Sequence, residues 1–195
     1  MVDTKERILL TALRLFAKDG YEAVPVSAIS GALGMTKGAL YKHYKNKRDI
    51  FDSILKRMEQ RDQALGAEEA PLRAEKDSGG PPLRRIAEYG RAQVRYWTEN
   101  PFAAPFRRML MLEQYRSEEM SRLYQHYLVA GPVEHMEKLL GTLHISAPRE
   151  KAVAFYAPLF LLYSLYDGAA DKATVRAMCD SALDNIVKTV FGAAA

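Results

Sequence analysis

Apolar positions recur along most of the chain at the three- and four-residue intervals of amphipathic helices. Ile8, Leu9, Ala12, Leu13, Leu15 and Phe16 predict a first helix to about Lys18, capped by Asp3 or Thr4. Gly20 stands where a helix-ending residue belongs. Ile29 and Leu33 predict a short second helix over about 26–33, ended by Gly34. Pro25 suits its entrance, where a missing N–H costs nothing. Thr36 can cap a third helix, 37 to about 44, with Leu40 inward. Asn46 caps a fourth, and Asp49 three residues on completes a capping-box-like pair. Ile50, Phe51, Ile54, Leu55 and Met58 continue its inner face to about Leu65.

The pattern breaks at 66–82, GAEEAPLRAEKDSGGPP, which is rich in Pro, Gly and mixed charge and reads as a mobile loop or linker. Helical spacing then returns. Leu83, Ile86, Ala87, Gly90, Val94 and Trp97 share one side of a helix to about Thr98. Pro101 and Pro105 punctuate a turn before a helix from Phe106 to about Tyr115. Ser117 can cap a helix over 118–140, interrupted near Gly131-Pro132, and segments 147–167 and 172–191 form a last pair. No alternating β-branched run is long enough for a strand, so the chain reads as all-α, with about nine helices.

Composition changes the picture in two places. The 195 residues include one cysteine, Cys179, which excludes a disulfide-stapled scaffold and reads as structural. The first residues are charged, with no apolar stretch of secretory type, and the longest uncharged run, 152–166, is too short for a membrane span. A cytoplasmic location with no membrane association is expected. Charge is unevenly placed. Residues 1–51 hold nine Lys/Arg and five Asp/Glu, whereas the remainder has nineteen of each. The whole excess of +4 therefore lies in the first quarter, and residues 36–48 hold five cations and no acid. A polyanion would relieve that repulsion.

Two short helices joined by a glycine turn within a three-helix unit are the layout of a helix-turn-helix. Thr36, Lys37, Gly38 and Ala39 form the tip of the third helix, the last two small enough for close backbone approach. Tyr41 lies a turn further on with a hydroxyl for phosphate, and Lys42 and His43 follow. Lys47 opens the next helix, where free N–H groups also favour phosphate.

The stretch 25–54, PVSAISGALGMTKGALYKHYKNKRDIFDSI, resembles the DNA-binding domain of the TetR family of bacterial transcriptional regulators. The carrying residues are Ala39, Leu40, Tyr41, Lys42, His43, Tyr44, Lys45, Asn46 and Lys47, with Phe16, Gly20, Tyr21, Ile29 and Gly34 upstream. One departure is Pro25-Val26, where the family usually has Thr or Ser; Ser27 is placed to replace that hydroxyl. The resemblance implies an N-terminal helix-turn-helix domain (1–50) and a C-terminal helical ligand-binding and dimerisation domain (51–195). It further implies a dimer on a pseudo-palindromic double-stranded DNA operator, acting as a repressor that a small-molecule effector releases. An activator, or an adaptor that binds protein instead of DNA, are the alternatives.

Two further expectations come from the residues themselves. A helix without a polar face must be covered on every side. The run 152–166 therefore predicts a homodimer, with Phe155, Leu159, Leu162, Tyr166, Met178, Leu183, Ile186 and Val190 at the contact. Two-fold symmetry would set two recognition helices about 34 Å apart. Aromatic and methionine side chains suit an adaptable apolar pocket; Trp97, Met109, Leu112, Tyr115, Tyr127, Tyr156 and Tyr163 are its candidate lining, for an apolar or aromatic ligand. No nucleophile elbow, HExxH or phosphate-cradling glycine loop occurs, so an enzyme is not expected. His126, His135 and His144 recur every nine residues, which does not give metal-ligand spacing, and neither metal nor cofactor is expected.

Overall fold

The computed structural model describes residues 3–68 and 83–192, so most of the predicted loop at 66–82 lies outside the described residues. The elements are α1 (Thr4–Asp19), α2 (Val26–Ala32), α3 (Lys37–Tyr41), α4 (Lys47–Glu68) and α5 (Leu83–Glu99). They continue with α6 (Ala103–Glu113), α7 (Glu118–Leu128), α8 (Ala130–Thr142), α9 (Pro148–Gly168) and α10 (Lys172–Phe191). Among the described residues there is no strand, and no helix is long and apolar enough to cross a membrane.

The chain divides into two compact units. The first comprises residues 1–67 and 101–124, the second 68–100 and 125–195. In the first, α1 is the central strut. Ile8, Leu9, Ala12, Leu13 and Phe16 are all buried, a band wider than one helix stripe, as suits a helix covered by more than one neighbour. Helices α2 and α6 both pack on it. Asp3 caps its first turn by accepting from the Lys5 N–H, and the Gly20 N–H closes its end on the Phe16 carbonyl (3.0 Å).

Helix boundaries differ from the sequence reading where proline decides them. Helix α6 begins at Ala103 instead of Phe106, with Pro105 inside its first turn, where an absent N–H leaves no bond unmade. The expected interruption near Gly131-Pro132 is a full break. Val129 leaves helical geometry (φ −123°, ψ −85°), and Pro132 lies in the first turn of a new helix, α8. Helix α3 stops at Tyr41, three residues early, because the chain must turn to bury Tyr44.

In the second unit α5, α9 and α10 pack on one another, with α8 beside α9. Gly90 is its tightest point. A Cβ there would lie 2.9 Å from Leu183 Cδ2 and 3.2 Å from Phe155 Cζ, so α5 approaches α9 and α10 only because Gly90 has no side chain. A ladder of ion pairs flanks the α5–α10 contact. Arg91 pairs with Asp184, Arg95 with Asp180 (3.1 Å), and Glu99 with Arg176 (2.6 Å). Asp171 caps α10 by accepting from the Ala173 and Thr174 N–H groups. Gly90→Ala should cost about 1–3 kcal/mol through overpacking. Urea unfolding should then show a lower midpoint at unchanged slope.

Candidate nucleic-acid interface

Helix α3 has five residues and cannot be stable alone. Three attachments fix it. Thr36 caps it, its hydroxyl accepting from the Ala39 N–H at 3.1 Å. Leu40 is fully buried. Tyr44, just beyond, is buried and donates its hydroxyl to the Lys5 carbonyl at 3.2 Å, tying the end of the segment to α1. Burial, and then the nearby Glu6 carboxylate, push the Tyr44 hydroxyl up to about 12. It is therefore a fixed donor, committed inside the unit.

With Leu40 and Tyr44 turned inward, the rest of the segment faces out. Thr36, Lys37, Gly38, Tyr41 and Lys42 are exposed, as is Ser27 in the first turn of α2. Tyr41 is 48% exposed, and Ala39 and His43 are half-buried. Seven of the nine predicted contact residues therefore lie within 36–43, on or beside α3, and Ser27 on the preceding helix. Lys45 is exposed in the α3–α4 turn and was not among them; the charge run at 36–48 was the signal that includes it.

Lys47 is placed differently from the expectation. Its ammonium, expected on a phosphate, donates to the Tyr21 carbonyl (2.9 Å) and the Glu22 carbonyl (3.3 Å) and lies 4.4 Å from the Tyr21 ring centroid. Those carbonyls follow the end of α1, where an ammonium is well placed to accept the role of a missing helical donor. The Tyr21 ring in turn packs against Phe16 and Phe51, at 5.1 and 4.9 Å between centroids. The start of α4 follows the sequence reading. Asn46 Oδ1 accepts from the Asp49 N–H (2.8 Å), and Asp49 returns a carboxylate oxygen to the backbone, to the Lys45 N–H (2.8 Å).

Two acids from the second segment of this unit meet the same region. Glu113, 1% exposed at the end of α6, accepts from the Tyr21 N–H at 3.1 Å. Glu119 on α7 receives both Nη groups of Arg48, at 2.9 and 2.7 Å. That hydrogen-bonded guanidinium holds the Glu119 carboxyl below its usual range.

Residues 8–54 match the family model described as bacterial regulatory proteins, tetR family. The HTH-type transcriptional regulator AcrR of Shigella flexneri is 42% identical over 52 residues, 27% of this chain and 24% of that protein. The uncharacterized HTH-type transcriptional regulator YerO of Bacillus subtilis (strain 168) is 28% identical over 156 residues. That match takes in 75% of this chain and 53% of YerO, so the chain spans about half, or less, of the length of these relatives. A transcriptional regulator from Aquifex aeolicus VF5 has the same fold, with a TM-score of 0.69 over 97% of this chain and all of that one, at 21% identity. Residues 8–54 are thus similar to the tetR-family regulatory proteins, and the chain as a whole shares the fold of the Aquifex aeolicus regulator.

The other candidate residues are distributed as follows. Trp97, Tyr127, Tyr156 and Tyr163 are buried in the second unit. Met109 is buried in the first unit, where Leu112 and Tyr115 are on the surface, Tyr115 at 90% exposure. The seven are thus not gathered within one unit. Tyr156 shares a hydroxyl–hydroxyl hydrogen bond of 2.9 Å with Tyr89, a residue the sequence did not single out because its partner is 67 positions away.

Of the residues expected between two chains, Phe155, Leu159, Leu162, Tyr166 and Leu183 are buried within the second unit itself. Ile186 and Val190 are half-buried, and Met178 is exposed. The open side of α9 carries Val153, Ala157, Leu161 and Leu165 instead. Among the described residues, no group of three His, Cys, Asp or Glu could hold a metal ion.

The lowered Glu119 carboxyl sets a pH dependence. Its pairing with Arg48 contributes stability above the ordinary carboxyl value of 4.5 and loses it as pH falls through the depressed one. Both side chains are more than a third exposed, 51% and 39%, so the effect is at most about 1 kcal/mol. Native and Glu119→Gln proteins should differ in unfolding midpoint at neutral pH and converge in acid.

Proposed function

We propose that the protein is a transcriptional regulator that reads DNA with α3 and acts as a repressor. The observation that carries this is the division of one five-residue helix. Leu40, with Tyr44 just beyond it, anchors the segment, while Thr36, Lys37, Gly38, Tyr41 and Lys42 stay open around it. Positive charge surrounds that open face, with no acid from 36 to 48. Lys37, Gly38 and Ala39 at the start of the helix meet base edges; Ser27, Thr36, Tyr41, Lys42 and His43 hold phosphates. Lys47 serves the same site by fixing the turn at Tyr21. Residues 1–50 form the reading head, within a soluble cytoplasmic protein.

The regulator works as a homodimer on a pseudo-palindromic operator. Among the described residues of the second unit, the exposed large apolar side chains, Val153, Leu161, Leu165 and Met178, all lie on α9 and α10. A monomer has no use for an apolar face repeating along a whole helix. An apolar or aromatic effector is held by the second unit, against Trp97, Tyr127, Tyr156 and Tyr163. Its differential affinity for two conformations releases the DNA.

Selection of duplexes from a random-sequence pool, followed by anisotropy titration at several salt concentrations, tests the reading. An enriched inverted repeat bound about 10³-fold or more above the pool is expected. Equal, weak binding to both overturns it. Lys37→Ala should change the preferred base at one position per half-site, at a cost of about 1–3 kcal/mol. Tyr41→Phe should weaken selected duplex and pool alike. Leu161→Glu should convert a sedimenting dimer to monomers; a monomeric native protein would remove the dimer from the proposal.

A further inference from the structure

The helix-turn-helix is held at both of its ends by acids from one distant stretch of chain. At one end stands Tyr21, two residues past α1, whose N–H meets Glu113. At the other stands Arg48, in the first turn of α4, whose guanidinium meets Glu119. Six positions separate the two acids, whereas the segment they hold runs from 21 to 48 and contains α2 and α3.

The surroundings of Glu113 are closely fitted to it. The carboxylate is almost wholly buried, with the Arg116 guanidinium 3.6 Å from it and the Tyr21 N–H donating to it. A Cβ on Gly20 would lie 2.6 Å from Glu113 Oε1, and Gly20 sits at φ +88°. Both facts require glycine beside the acid. The same Tyr21 peptide region is fixed on its carbonyl side by Lys47. A buried carboxylate is a poor way to gain stability, because an apolar side chain of similar volume avoids the desolvation cost. Its advantage is direction. A hydrogen bond fixes the angle of the peptide it receives, which apolar contact does not.

We infer that Glu113 and Glu119 are positioning residues that set the orientation in which α3 meets DNA, through Tyr21 and Arg48, without touching DNA themselves. The inference rests on the DNA-reading role proposed above.

The test uses the full chain, a duplex selected by the native protein from the random pool, and the pool itself. Glu119→Gln breaks an exposed ion pair and leaves the core alone. It should lower the preference for the selected duplex about 10-fold or more, with pool affinity and salt slope unchanged. Glu113→Ala should do the same, and Glu113→Gln, which keeps an acceptor for the Tyr21 N–H, should restore most of the preference. Should Glu113→Ala fail to fold, Glu119→Gln and Glu113→Gln decide. The inference is overturned if Glu119→Gln keeps the native preference, or if selected and pool affinities fall together in step with melting temperature. Failure of the native protein to enrich any sequence would instead overturn the DNA-reading role.

Discussion

A helix of five residues cannot hold its own shape in water, and the first unit is arranged around that fact. Nucleating a helical turn fixes several dihedrals for a single hydrogen bond, so α3 forms only where other groups supply the difference. Thr36 supplies the cap, Leu40 the buried contact and Tyr44 the bond to α1. Leu40 and Tyr44 also leave the surface by this, and the remaining positions stay free for recognition. Order and exposure in this segment are two results of the same packing.

The second unit faces a different constraint. Helix α9 has no polar side from 152 to 166. It is therefore covered by α5, α8 and α10 on one side and left apolar on the other. The close approach of Phe155 to Gly90 and the hydroxyl bond of Tyr156 with Tyr89 fix which side is which. Without such lateral restraints, an all-apolar helix could rotate about its axis at little cost.

That same uniformity explains what the sequence could and could not disclose. Capping residues and glycines located α1, α2 and the start of α4, because each acts within a few residues of its own position. The exposed tip at 36–42 was legible for the same local reason. The phase of α9 was not. Phe155 and Leu161 are chemically equivalent in a pattern without polar positions, and only packing turns the first inward and the second outward. Lys47 shows a further limit, since its partner carbonyl lies 26 residues away at Tyr21. Glu113 is an ordinary acid in its local sequence, and nothing near it signals a bond to a peptide 92 positions earlier. Proline misled at α6 because Pro105 is equally compatible with a turn and with a first helical turn.

The discontinuous make-up of the first unit bears on how such chains can be recombined. Residues 101–124 belong with the helix-turn-helix, although residues 68–100 separate the two stretches of the unit. A graft that exchanged only residues 1–50 between two relatives would bring Tyr21 and Arg48 with it and leave Glu113 and Glu119 behind. The new head would meet acids shaped for another. Modularity in this chain therefore ends at a three-dimensional seam, and a clean exchange must carry both stretches together.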